Sequence, residues 1–356
     1  MIDVTSAVPT TMRRVIVSAD RGPTIEHSSV PTPQAGEALV RMTAVGVCGS
    51  DTHAMHGQHP FISLPYAPGH EVAGVVAELS LNATGVSVGQ RVVVEPTLPC
   101  WTCKQCKAGR INLCESLKFF GCVYDQGGMA DFFSIPANRL HPVPDALDDR
   151  QAVLIEPLST PVHAARLAGP IDGKAVAILG AGAIGLLLLR VVLDQGARRI
   201  VVTDVLNNKR QRALQLGAHA VVDAARPDVA ATVRQELGES ADIVFDCVAN
   251  QRTVDQAVTM ALKGGTVAIV GVPAGPVSVP LPEIQDLQVK IQGSATYEPQ
   301  DFDQAIRLLL AGQVRSEDFV TGVYSLDQTA NAFHASTSGE HVKVILTPDA
   351  GQNDPS

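Results

Sequence analysis

Ala175-Val-Ala-Ile-Leu-Gly-Ala-Gly-Ala-Ile-Gly185 is the stretch whose reading decides the fold. Ala175 to Leu179 is a short, wholly apolar run that ends in glycine, which is the pattern of a buried strand. Ile184 to Gln195 then reads as an apolar helix. Each glycine has a physical task between them. Gly180 can take the backbone conformation of a tight turn, Gly182 lets the chain approach a pyrophosphate, and Gly185 lets helix and strand pack closely. The helix opens at Ala183 and Ile184, where unpaired N–H groups face outward as an anion site.

Working outward, Ile200-Val-Val-Thr203 is a second strand, and Asp204 follows it 19 residues after Gly185. A carboxylate there can accept hydrogen bonds from adenosine ribose hydroxyls and would repel a 2′-phosphate, so NAD is expected over NADP. The plainer alternative is that Asp204 caps a loop. Lys209 and Arg210 bear on the same choice, because either could counter a phosphate. The alternation continues with helices at Lys209 to Leu216, Val229 to Leu237 and Val254 to Leu262. Strands at Ala220 to Val222, Ile243 to Asp246 and Thr266 to Val270 lie between and after them. Strands separated by helices imply parallel βαβ units, hence a doubly wound sheet over residues 157–293.

The first part of the chain has a different texture, with β-branched runs at Ala38 to Val45, Glu71 to Glu78 and Arg91 to Val94 among Gly and Pro. It reads as a β-rich domain with long loops. After the doubly wound region come helices at Asp301 to Ala311 and Leu326 to Ser336, a strand at Val342 to Leu346, and a polar tail from Pro348. The chain of 356 residues is 46% hydrophobic and 18% charged, enough for two packed cores. With 36 acidic against 27 basic residues the formal charge is −9, and no basic run suits a phosphate backbone, so no nucleic-acid partner is expected. Met1 to Thr11 lacks the pattern of a secretory signal, and no apolar run is long enough to span a bilayer. The expectation is a cytoplasmic protein with no membrane partner.

Four of the seven cysteines crowd between Cys100 and Cys114. The spacing C-x2-C-x2-C-x7-C of Cys100, Cys103, Cys106 and Cys114 can close a tetrahedral thiolate shell around Zn²⁺ and leave no open position, so it reads as structural. Elsewhere Val47-Cys-Gly-Ser-Asp-Thr-His53 and Pro68-Gly-His-Glu71 supply Cys48, His70 and Glu71, types that bind catalytic zinc with one place left over. Each alone has an ordinary explanation: a small buried thiol, a hydrogen-bonded histidine. Glu156, in Ile155-Glu-Pro-Leu158, is an acidic residue among apolar neighbours that could equally open a helix.

Taken together, these residues resemble the zinc-containing medium-chain dehydrogenases, in particular the group holding sorbitol, threonine and butanediol dehydrogenases. The Cys48 segment, Gly69-His-Glu71, the four-cysteine lobe, Gly127-Gly-Met-Ala130, Glu156-Pro157 and the Gly180 loop with Asp204 carry the resemblance over nearly the whole chain. It implies an α/β protein: a GroES-like β-barrel catalytic domain, residues 1–156 and 294–356, with a Rossmann NAD-binding domain, residues 157–293, inserted. It implies a catalytic zinc held by Cys48 and His70, with Glu71 and Glu156 as ligands or as partners of a zinc-bound water, and a structural zinc in the lobe. Asp51 would fix the His70 tautomer. Ser50 and His53 match the proton-relay positions. Two features depart from the family: Glu78 to Thr84 lacks the usual glycine, and Gly89-Gln90 replaces Gly-Asp.

The implied reaction is oxidation of a small-molecule alcohol, with zinc as Lewis acid and NAD as hydride acceptor. A zinc-free reductase would have no reason to keep Cys48, His70 and the lobe, and a non-catalytic zinc and NAD sensor would have none for Ser50 and His53. A homo-oligomer, tetramer or dimer, is expected by analogy alone. For the substrate, polyol-oxidising relatives place an Arg before the Tyr of Gly293-Ser-Ala-Thr-Tyr297, where this chain has Thr296. A long polyol would lose a charged anchor worth about 1.5–3 kcal/mol. The expected order is therefore a short vicinal diol or secondary alcohol, then a sugar alcohol, then L-threonine.

Overall fold

The computed structural model of the chain describes residues 7–349; most of the polar tail and the first six residues lie outside them. The chain forms two compact units, one from residues 1–156 and 315–356 and the other from residues 157–314. Among the described residues, no helix is long and apolar enough to cross a membrane.

The first unit begins with strands β1 (Thr11–Ser18), β2 (Gly22–Ser29) and β3 (Glu37–Val47), then helix α1 (Gly49–Met55), β4 (Val72–Leu79) and β5 (Arg91–Val94). There follow β6 (Thr97–Leu98), α2 (Lys104–Lys107), β7 (Lys118–Phe119), β8 (Phe132–Pro136), β9 (Leu140–Pro142) and α3 (Asp149–Ala152). β1 and β2 make an antiparallel hairpin, and β6 and β7 make a small clasp around the cysteine lobe. β3 is the spine. It pairs antiparallel with both β4 and β8, and β4 passes the sheet on to β5 and β9. Its side chains Val40, Met42, Val45 and Val47 enter a core with Val72, Val76, Phe120, Met129 and Phe133. Where the family's glycine is missing, Asn82 takes the left-handed conformation (φ 64°). Gln90 accepts from the Ser87 N–H at 2.9 Å and so holds its turn without an aspartate.

The second unit opens along α4 (Ile155–Ala168) and then runs β10 (Ala175–Leu179), α5 (Ala183–Asp194), β11 (Arg199–Asp204), α6 (Asn207–Gln215), β12 (Ala220–Asp223) and α7 (Val229–Leu237). It continues with β13 (Ala241–Asp246), α8 (Gln251–Met260), β14 (Ala261–Ile269), α9 (Leu281–Asp286), β15 (Lys290–Gly293) and α10 (Pro299–Leu310). All pairs are parallel, in the order β12-β11-β10-β13-β14-β15. That order reverses between β10 and β13, the switch point at which open α/β sheets bind ligands.

The return to the first unit comes at Arg315, not at residue 294 as the sequence reading placed it. The reason is α10, which a buried ion cluster ties to α4. Asp301 accepts from His163 Nδ1 at 2.8 Å and from Arg166 Nε at 2.9 Å, and it also caps its own helix by accepting from the Glu298 N–H at 2.8 Å. After Arg315, α11 (Ser316–Phe319), β16 (Val320–Ser325), α12 (Thr329–Thr337) and β17 (Lys343–Thr347) complete the first unit. β17 adds antiparallel to β3, setting Val344 opposite Val47.

Burial opposes ionisation of Asp301, but the hydrogen bonds from His163 and Arg166 outweigh it and hold its pKa below the usual range. A carboxylate with a depressed folded pKa stabilises fully above its unfolded value of about 3.9 and loses that contribution as pH falls through the folded one. Asp301→Asn should therefore cost about 3 kcal/mol at neutral pH, as for a broken buried pair. Urea denaturation at pH 7 and near pH 3 checks this: the gap between the two proteins should be wide at pH 7 and narrow in acid. An equal gap at both would contradict it.

Candidate metal and cofactor sites

In the lobe, Cys103 caps the short helix α2, and a 3-10 turn over Ile111–Leu113 brings Cys114 back. The sulfurs of Cys100, Cys103, Cys106 and Cys114 lie within 4.8 Å of one another. Cys103 Sγ and Cys114 Sγ are 4.0 Å apart, too far for a disulfide and close to the edge of a zinc–thiolate tetrahedron, about 3.8 Å. Backbone N–H groups already point at the sulfurs: Cys100 to Cys114 Sγ at 3.2 Å, Cys103 to Cys100 Sγ at 3.4 Å, and Ser116 to Cys114 Sγ at 3.4 Å. Such donors favour thiolates, the form that binds metal. The Thr102 hydroxyl and the N–H groups of Thr102 and Cys103 hold the Cys100 thiol down to about 6. The donor set fits zinc.

The second cluster sits where β3 ends and β4 begins. Cys48 follows the last residue of β3 and precedes α1, and its N–H donates to Asp51 Oδ2 at 3.0 Å. His70 and Glu71 directly precede β4. Gly69 has φ 104°, and a side chain there would meet the Met129 nitrogen at 2.4 Å, so only glycine lets this loop pack against the chain at Met129 and set His70 in place. The ring of Phe119 packs edge-on to His70 at 5.7 Å. One ligand atom each of Cys48, His70 and Glu71 falls within 4.8 Å of the others. Burial opposes a charge on His70, but the sulfurs of Cys122 and Cys48 outweigh it and raise its pKa well above the usual value. The mixed thiolate, imidazole and carboxylate donors of the cluster fit zinc with an open position.

The other site residues fall as follows. Ser50 and His53 lie on α1, one turn apart and so on one face, with His53 exposed. Asp51 is fully buried and accepts from the Tyr66 hydroxyl at 3.0 Å and from the Cys48 N–H, with His70 near enough to act on its charge. Glu156, buried at the start of α4, stands outside the three-residue cluster but close enough to influence Lys343. Three neighbours escaped sequence reasoning. Cys122 Sγ is 3.4 Å from His70 Nδ1, Tyr66 holds Asp51, and Lys343 Nζ donates to both Glu71 oxygens, at 2.6 and 2.8 Å. Lys343 had a signal: a lone lysine inside an otherwise apolar strand.

In the second unit, Gly180 (φ 97°) turns the chain out of β10, and a side chain at Gly185 would meet the Gly180 oxygen at 1.9 Å. Gly182 is different, because a side chain there would touch nothing within 4 Å. Its smallness serves something beyond the chain's own packing, such as a pyrophosphate over the Ala183 and Ile184 N–H groups. Asp204 ends β11 and accepts from the Ala181 N–H and the Leu206 N–H, both at 2.9 Å. Arg210 donates to the carbonyls of Asp204 and Val205, at 2.9 and 3.0 Å. Lys209 stands in the first turn of α6.

A Rossmann sheet with this loop, in a chain whose other unit carries two zinc-type clusters, defines a nicotinamide-dependent oxidoreductase of the zinc type. Comparison with known proteins is specific. Residues 34–145 match the alcohol dehydrogenase GroES-like domain and residues 183–311 the zinc-binding dehydrogenase domain. The chain is 32% identical to L-galactonate-5-dehydrogenase of Escherichia coli K12, over 90% of this chain and 95% of that one. It is also 32% identical to sorbitol dehydrogenase of Gallus gallus, over 93% and 95%. A zinc-binding dehydrogenase of Sinorhizobium meliloti bound to NADP superposes with TM-score 0.87 at 30% identity, covering 96% of this chain and all of that one. The 2R,3R-butanediol dehydrogenase of Bacillus subtilis does so with TM-score 0.87 at 26% identity, covering 95% and 100%. The chain belongs to the zinc-dependent medium-chain alcohol dehydrogenase family.

Trp101, the single tryptophan of the chain, sits inside the lobe, half exposed, with the Arg139 guanidinium 5.7 Å from its ring centre. Its emission should therefore report the lobe alone. Dipicolinate should remove one zinc per chain together with activity and leave the emission unchanged; a mercurial should then release a second zinc and shift it. A shift accompanying the first ion, or fewer than two tightly held ions in fresh protein, would contradict the assignment of the two clusters.

Proposed function

We propose that this chain interconverts a secondary alcohol of a vicinal diol unit and the corresponding ketone with NAD, using one catalytic zinc at Cys48 and His70 and one structural zinc in the four-cysteine lobe. The observation that carries this reading is the contrast between the clusters. Four thiolates close a shell, whereas a single thiolate and an imidazole with carboxylates nearby leave room for substrate.

When bound, zinc supplies Lewis acidity to a hydroxyl and the nicotinamide accepts a hydride. The chain's own residues do the rest. Cys48 and His70, with Glu71 in the same cluster, would hold the ion, and Asp51 fixes the turn that carries Cys48. Ser50 takes the alcohol proton and passes it toward exposed His53, along one face of α1. The first turn of α5 receives the pyrophosphate. Asp204 receives the adenosine ribose, and because Arg210 is held on backbone carbonyls and lies 3.4 Å from Asp223, it is committed elsewhere than to a 2′-phosphate. Replacing Asp204 by Ala should narrow the preference for NAD.

The vicinal diol is the chemistry that sorbitol, galactonate and butanediol share, and relatives named for all three support it. Thr296 in place of the polyol arginine favours short diols over sugar alcohols, but the sorbitol and galactonate relatives support the polyol reading at least as well. Thr296 itself has φ 51° and a buried Oγ1 without a hydrogen-bond partner among the described residues. The test is kcat/KM with NAD for 2,3-butanediol, 1,2-propanediol, sorbitol, xylitol and L-galactonate against 2-butanol and 1-propanol. A second hydroxyl that makes one good hydrogen bond should favour the diols about tenfold or more. Equal rates with the simple alcohols would overturn the vicinal-diol assignment.

A further inference from the structure

Asp51 is wholly buried, and a donor meets each of its oxygens. Oδ2 accepts from the Cys48 N–H at 3.0 Å and Oδ1 from the Tyr66 hydroxyl at 3.0 Å. Tyr66 is itself fixed through its main chain. Its N–H donates to the Val17 carbonyl at 3.1 Å, and its carbonyl accepts from the Val17 N–H at 3.0 Å. Its ring, 6% exposed, belongs to the same core as Val17, Val45 and Val47. Burial and the neighbouring Asp51 charge both push the Tyr66 pKa up, so the hydroxyl keeps its proton and remains a donor. A continuous run of contacts thus leads from β1 at Val17, through Tyr66 and Asp51, to the N–H of Cys48.

A phenylalanine would fill the place of the Tyr66 ring without needing a hydrogen-bond partner. What needs the hydroxyl is Asp51, because a carboxylate out of water must be met by donors or move to find them. With Oδ1 held by Tyr66, Oδ2 stays on the Cys48 N–H, across the turn that opens α1. We propose that Tyr66 is a positioning residue for the catalytic metal: its hydroxyl pins Asp51, and Asp51 in turn sets the Cys48 thiolate where it meets His70 and Glu71. The inference rests on the reading of Cys48, His70 and Glu71 as the metal site, and it keeps all three as donors. Partners one step behind the ligands carry much of a metal's affinity, and their loss loosens the ion about 10- to 100-fold. Without the hydroxyl, Asp51 turns toward another donor and the Cys48 turn loses its hold.

The measurement is zinc release from the holoenzyme into excess dipicolinate, taking the phase that is absent in Cys48→Ser as the catalytic ion. Tyr66→Phe should speed that phase about tenfold or more and leave the lobe ion as resistant to dipicolinate as in wild type. Activity lost on dialysis should return when zinc is added, with the KM for the alcohol unchanged, because the hydroxyl acts through Asp51 on the metal and not on the substrate. Asp51→Asn should speed the same phase, and Tyr66→Phe added to it should speed it no further, since both act along one run of contacts. Tyr66→Met also lacks the hydroxyl and should behave as Tyr66→Phe, which keeps the test open should the latter not fold. Release at the wild-type rate, loss of both ions to dipicolinate, further speeding in the double variant, or an activity loss that added zinc does not restore would each overturn the proposal. A wild-type protein with no Cys48-dependent zinc would instead overturn the metal-site reading itself.

Discussion

The backbone hydrogen bond from Gly46 to Glu71, at the junction of β3 and β4, is the contact on which the Cys48, His70 and Glu71 cluster rests. It locks the end of one strand to the start of the next. Cys48 and His70, 22 residues apart in sequence, then emerge at the same end of two neighbouring strands. The junction tolerates no bulk: a side chain at Gly46 would collide with Glu71, and one at Gly69 with the backbone at Met129. Close approach of main chains gives the donors a geometry that flexible loops could not hold.

The same economy supports the lobe. Glu95, fully buried, accepts from the Thr97 hydroxyl at 2.9 Å and from His141 Nε2 at 2.7 Å, and it is paired with Arg139, whose guanidinium also faces Trp101. Burial raises the Glu95 pKa while His141, Arg139 and Thr97 lower it, with a net depression that keeps the carboxylate charged. A charged network under a cysteine lobe fixes where the lobe attaches to β5 and β9. Both candidate metal clusters of this unit thus stand on partnered buried polar contacts, as a low-dielectric interior demands.

Much of the fold was legible because its signals are local. β10 and α7 fall where the apolar runs place them, since a buried parallel strand and a helix each carry their pattern within a few residues. β2 was not legible: Gly22–Ser29 mixes Pro, Glu, His and Ser, and only its pairing with β1 makes it a strand. β15 and β16 were missed for the same reason, and the helix expected over Leu326 to Ser336 begins as a 3-10 turn before α12. At the site, spacing marked the cysteine lobe and the Gly-His-Glu segment. It could not mark Cys122, Tyr66 or Lys343, whose roles exist only once distant strands are in register.

One chain builds a four-thiolate cluster and a mixed thiolate, imidazole and carboxylate cluster, proposed to be a closed and an open zinc site. Zinc K-edge X-ray absorption on freshly purified, chelator-free protein tests it most directly, because five cysteines serve two ions. The expected result is a mixed shell, with sulfur near about 2.3 Å and nitrogen or oxygen near about 2.0 Å in comparable numbers. It should become almost purely sulfur once dipicolinate has removed the labile ion. A shell of sulfur alone before any chelation would contradict the claim.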